Sequence, residues 1–129
     1  MDAAAAWYSL GLIALHQEDY PSARQDFMNY FHADQSMNNK IDTCRLLIAL
    51  AAVAGGTEQA ERCAQLYGAA QVLFDTINYR LRPIDQTEFD RLIQRAREQL
   101  GNTRFEVLAV YGRAMTMEQA IGYALEYQE

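Results

Sequence analysis

His16 and His32 are the only histidines, and Cys44 and Cys63 the only cysteines, in a chain of 129 residues. Metal binding or nucleophilic catalysis would have to draw on these four. His16, Gln17 and Glu18 form an H-x-E triplet, but no P-C-x-x-C follows, so the zinc-deaminase set is incomplete. H-E-x-x-H is absent, as are the G-x-S-x-G elbow and the glycine-rich phosphate loops. Each histidine falls near the end of an expected helix, where a partly positive imidazole suits the negative end of the dipole. Both cysteines fall on apolar helical faces, and a buried free thiol behaves as a small hydrophobe. The expectation is no metal and no cofactor.

Carboxylates and arginines offer two further chemistries. Asp85, Glu88 and Asp90 cluster where a helix should begin, and paired carboxylates do acid-base work when one is desolvated. Capping explains the first two more simply, and solvent exposure the third. The expectation is therefore a chain that is not an enzyme. Arg80, Arg82, Arg91, Arg95 and Arg97 are the one basic concentration. As a patch, Arg80, Arg82, Arg91 and Arg95 would dock an acidic partner through bidentate contacts, or they form a solvated face. The eight tyrosines are expected half-buried, with hydroxyls reaching water.

Helices must position these groups, since no segment alternates at period two. Trp7, Leu10, Gly11, Ala14 and Leu15 share a face of a first helix, about Asp2 to Gln17. Ala23, Phe27, Tyr30 and Phe31 line a second, beginning near Pro21, and His32 to Ser36 connect it onward. A third, about Asn38 to Ala54, is apolar nearly all round, with Ile41, Cys44, Leu47 and Ile48 in its main stripe, so neighbours must bury it. Gly55 and Gly56 are expected to end it, and Thr57 to cap a fourth helix reaching Asn78. In that helix Ala64, Gly68, Ala69 and Ala70 allow close helix approach. Pro83 stops continuation. Asp85 with Glu88 reads as a capping box for a fifth helix carrying Phe89, Leu92, Ile93 and Ala96, closed by Gly101. A sixth ends at Gly112, and Thr116 with Gln119 boxes a seventh.

Composition agrees. Half the residues are hydrophobic and 22% charged, with 7 Gly and 2 Pro, which suits one helical domain with a core. The net charge of −6 opposes direct binding of nucleic acid, whose phosphates need a surplus of Lys and Arg. The apolar run from Leu46 to Gly56 is too short to cross a bilayer, which takes about 20 residues. The start lacks the positive segment of a signal peptide, which fits the cytoplasm.

Trp7, Leu10 and Gly11, then Ala23 and Phe27, stand at the spacing W-x2-L-G and A-x3-F of a tetratricopeptide repeat. Gly11 and Ala23 would let two antiparallel helices touch, with Trp7, Leu10 and Phe27 filling the space around them. Ala14 replaces the motif's Tyr, and Gln35 stands near its closing Pro. A weaker second unit starts about one period on, at Ile41, with Ile48 and Ala60 in later roles. The fold class read from this is all-α: a right-handed α-solenoid of about seven helices. Residues 1–35 would form the first repeat, 38–79 the second pair and 84–129 capping helices.

Ala64 to Gln71, Arg82 and Pro83, Glu88 to Arg91, Leu100 and Gly101, Phe105 and Gly112 to Ile121 together resemble a recurring C-terminal tail. It is that of large bacterial LuxR/MalT-like and related signal-transduction ATPase regulators. The resemblance implies a piece of a longer chain, whose helical part senses signals and contacts proteins. By the repeat family's geometry, Tyr8, Leu12 and His16 of the first helix, with Asp42, Arg45 and Ala49 of the third, would line a binding groove. The family's carboxylate clamp is not expected, since only Arg45 matches it. The partner would be a protein segment or a neighbouring domain of the parent regulator. A homodimer through the open apolar end at Ala4, Ala5 and Trp7 is also expected. The alternatives are a small-ligand pocket between the third and fifth helices, lined by tyrosines and Arg91 or Arg95, and a free-standing adaptor.

Overall fold

The computed structural model describes residues 3–33 and 40–126. The expected connection over 34–36, the helix start at Asn38, the Gln35 position, Asp2 and Tyr127 lie outside them. Among the described residues there are seven helices and no strand: α1 (Ala3–His16), α2 (Tyr20–Ala33), α3 (Lys40–Gly56), α4 (Ala60–Ile77), α5 (Pro83–Leu100), α6 (Asn102–Arg113) and α7 (Met117–Leu125). The chain is an all-α stack in which α1 packs along α2 and α3 along α4.

Small residues set the first hairpin. A Cβ on Gly11 would lie 2.5 Å from Cε1 of Phe27, and Ala23 and Phe27 are fully buried. Burial of a ring of that size stabilises by about 2–3 kcal/mol. Leu10 departs from the motif's geometry: it is 47% exposed, on the face of α1 turned from α2, and Tyr8 takes the inward place. Ile41 is likewise exposed rather than part of the inward stripe.

The α3–α4 turn corrects the expected boundary. Gly55 and Gly56 belong to α3 and are buried, because the Leu92 backbone of α5 and the Tyr20 ring press where their side chains would be. Thr57 does not cap α4. Its hydroxyl donates back to the carbonyls of Val53 and Ala54, and Gln59 takes the N-cap position. Glu58 makes the left-handed step, at φ 62°, as Glu18 does between α1 and α2. The two turns share one hydrogen-bond pattern. Asp19 N–H donates to Ala14 and Gln59 N–H to Ala54, each at 2.9 Å, while Ala23 N–H donates to Asp19 and Cys63 N–H to Gln59. The second hairpin thus repeats the first forty residues on, so Cys63 and Tyr67, not Ala60, answer to Ala23 and Phe27.

Beyond α4 the pattern changes. Asn78 adopts the left-handed conformation and closes α4. Pro83 opens α5 rather than merely ending what precedes it, since its missing N–H costs nothing in the first turn. Arg82 is the N-cap and Asp85 lies inside the helix, so the expected Asp85 capping box does not form. Gly101, at φ 85°, separates α5 from α6. α6 lies mainly along α4 and runs through Gly112 to Arg113. Here main chain meets main chain: a Cβ on Gly68 would strike the Ala109 carbonyl, and one on Gly112 that of Gln65. The Thr116–Gln119 capping box opens α7 with both reciprocal bonds present. Its far end is held by Arg62, a buried guanidinium whose Nη2 donates to the carbonyls of Tyr123 and Ala124 at 2.8 and 2.9 Å.

Candidate functional site

The predicted groove divides into two adjoining chambers. The first, about 320 Å³, is polar and brings together Tyr8, Asp42 and Arg45 with Tyr30, Tyr79 and Arg82. Tyr30 donates its phenol proton to Asp42 Oδ1 at 2.8 Å. Arg45 donates from Nε and Nη2 to the Tyr79 hydroxyl at 3.1 and 2.9 Å, and its guanidinium stacks 5.6 Å from the centroids of both Tyr8 and Tyr79. With the Arg45 side chain 37% exposed, stacking of this kind is worth about 0.5–1 kcal/mol. The left-handed Asn78 turns the chain so that Tyr79 reaches back, its ring stacked on Phe74 at 5.9 Å.

Tyr8 completes the wall. Its ring packs at 5.1 Å from Tyr30 and 5.7 Å from Phe27, and its hydroxyl is buried without a hydrogen-bond partner. Burial first, and the Asp85 carboxylate second, push its ionisation far above the ordinary phenol range. Burial and the bond to Asp42 act in the same direction on Tyr30. Both phenols are therefore neutral donors and acceptors at any ordinary pH.

The second chamber, about 740 Å³, lies between α1 and the start of α5 and has an apolar floor of Leu12, Ile13 and Ile84. His16, Thr87 and Glu88 rim it. His16 Nδ1 stands 3.9 Å from Glu88 with the imidazole 83% exposed; His16 and His32 lie in the last turns of α1 and α2, and both thiols are buried. Ile84 is 75% exposed and Ile13 55%, large apolar side chains left uncovered on a helical frame. Arg82 and Asp85, joined at 3.0 Å, border both chambers.

Not every expected residue belongs here. Ala49 is fully buried, within the run from Leu46 to Gly56 of α3 that its neighbours enclose. Each arginine of the expected patch already has a partner of its own. Arg82 is engaged by Asp85, Arg91 by Glu88 at 2.7 Å, Arg95 reaches Tyr20 at 3.5 Å, and Arg80 turns to the Tyr79 carbonyl. One tyrosine, Tyr20, meets Arg91 and Arg95 beside the end of α3, whereas Tyr8, Tyr30 and Tyr79 gather around Arg45. Asp85, Glu88 and Asp90 each meet a partner within a turn, Arg82, Arg91 and Gln86. Tyr30 and Tyr79 are in the sequence only two of the eight tyrosines, with nothing that assigns them to the groove, and Ile84 does not stand out. Its one signal was its place, apolar and directly after a proline in an otherwise polar first turn. Tyr79 carried none.

Both cysteines are free and buried, and burial raises each thiol to about 12. Among the described residues no helix is long and apolar enough to cross a membrane. No family model, no curated protein and no solved structure matches the chain.

Proposed function

We propose that this chain is a non-catalytic interaction and sensing module of tetratricopeptide-like type, working inside a multidomain cytoplasmic transcriptional regulator. The observation that carries the interaction role is the apolar chamber floored by Leu12, Ile13 and Ile84. Exposed apolar surface rimmed by polar groups on a rigid frame marks a protein-binding site. Its occupant is an amphipathic protein segment, with apolar anchors on the floor and polar groups meeting Arg82, Glu88 and His16. The regulator context rests on the resemblance of the Ala64–Ile121 stretch to such proteins' tails. No cofactor and no direct nucleic-acid contact enters this reading.

Selection of displayed random peptides on the immobilised chain tests it. Binders should carry apolar residues at helical spacing and lose at least about tenfold in affinity on Ile84→Asp, the cost of one buried aliphatic anchor. Ile84 is too exposed for that change to unfold the protein. Binders indifferent to Ile84→Asp overturn the chamber as the interaction site.

A second reading, small-ligand sensing, is favoured by the Tyr8 hydroxyl, which is buried beside the polar chamber with no partner. Its ligand would be a compact polar metabolite. A thermal-shift panel of polar metabolites tests it through stabilisation of the folded form, with Arg45→Met as control.

A further inference from the structure

The forty-residue recurrence says what belongs on the bare face of α1. Carried forward by forty, Ala6, Leu10 and Ile13 become Leu46, Leu50 and Val53. In the second hairpin those three are 0%, 3% and 5% exposed, whereas Leu10 and Ile13 are 47% and 55% exposed. Leu50 and Val53 line a cleft of about 480 Å³ whose other lining includes Tyr20, Pro21, Arg24 and Met28 of α2 and Leu125 of α7, and the Tyr20 ring fills the space over Gly56. The first hairpin therefore covers, with its second helix, the face of α3 that α1 leaves open on itself. A second copy of this chain cannot supply that cover in the same way, because its own α2 is already seated on its own α3.

We infer that the Ala6–Leu10–Ile13 face of α1 is a docking surface for one further helix hairpin of the α1–α2 kind. The incoming element is a second helix with an aromatic and methionine face like that of Tyr20 and Met28. It seats on Leu10 as α2 seats on Leu50. Ile13 borders the apolar chamber as well, but Leu10 does not line it, so the two surfaces are separately addressable.

The test supplies that hairpin. A chain in which residues 1–40 are duplicated in tandem ahead of 1–129 keeps the forty-residue phase. It should remain monomeric, melt at least about 5 °C higher than the ordinary chain, and protect the amides of its inner α1. Ala6→Lys with Leu10→Lys in the inner copy should abolish the gain. The same pair in the ordinary chain should change melting little, since Lys is a good helix former on an exposed face. Ile84→Asp should leave the gain intact, which separates this inference from the chamber. No gain, or a gain indifferent to the lysines, overturns it. So does an ordinary chain that is dimeric by light scattering and becomes monomeric with the lysines, since a second copy would then be the occupant.

Discussion

Gly11 faces the ring of Phe27 so closely that an added Cβ would stand 2.5, 2.7 and 2.9 Å from three of its carbons. The obstacle is a fully buried ring, so neither partner has room to yield. The motif's glycine is thus explained by contact and not by backbone conformation, since Gly11 is an ordinary helical residue.

Gly11→Ala should therefore destabilise despite alanine's better helix propensity of about 1 kcal/mol. Overpacking of about 1–3 kcal/mol opposes that gain, and the net loss in urea unfolding should reach up to about 2 kcal/mol. Adding Phe27→Leu, which removes the obstructing ring edge, should make the alanine less harmful than it is alone. An alanine equally costly in both backgrounds would show that the ring is not the obstacle.

Arg62 should behave as a helix anchor. Replacing it with Met keeps the length and the apolar stem but strips the donors from the Tyr123 and Ala124 carbonyls. A loss of about 2 kcal/mol is expected, in the range for hydrogen bonds from a charged group. Hydrogen exchange should quicken in α7 first while α1 to α4 keep their protection. Uniform loss across the chain would contradict the anchoring role.

The two thiols set a pH dependence of known sign. Burial raises Cys44 and Cys63 to about 12 in the fold, against about 8.5 for an unfolded thiol. Above the lower value the unfolded chain has released protons that the folded chain still holds, so it binds fewer and stability falls as pH rises. The contribution is complete below about pH 8.5 and is lost progressively toward 12. Between pH 8.5 and 10, before ordinary phenols titrate, urea midpoints should decline. The slope should flatten in Cys44→Ala with Cys63→Ala. An unchanged slope would place the titration elsewhere.

The sequence was most readable where one residue decides local geometry. Gly101 at its positive φ, the Thr116–Gln119 reciprocal cap and the Gly11–Ala23–Phe27 contact were all visible as residue types at fixed offsets. It was least readable where tertiary contact overrides a local signal. Gly55 and Gly56 look like a helix end, yet Leu92 and Tyr20 need their bareness inside the helix. Asp85 looks like a cap, yet Pro83 starts the helix two residues earlier. Periodicity alone cannot say that Leu10 is exposed while Leu50, its counterpart, is covered, because the difference lies in the neighbour. The candidate site was half visible. Tyr8, Leu12, His16, Asp42 and Arg45 sit at its two chambers, but Tyr79 arrives only through the left-handed turn at Asn78.

The Arg82–Asp85 pair forms a shared partition between the polar and apolar chambers. Because both residues line both spaces, a substitution at either one reshapes two surfaces at once, and no change at Arg82 or Asp85 addresses one compartment alone.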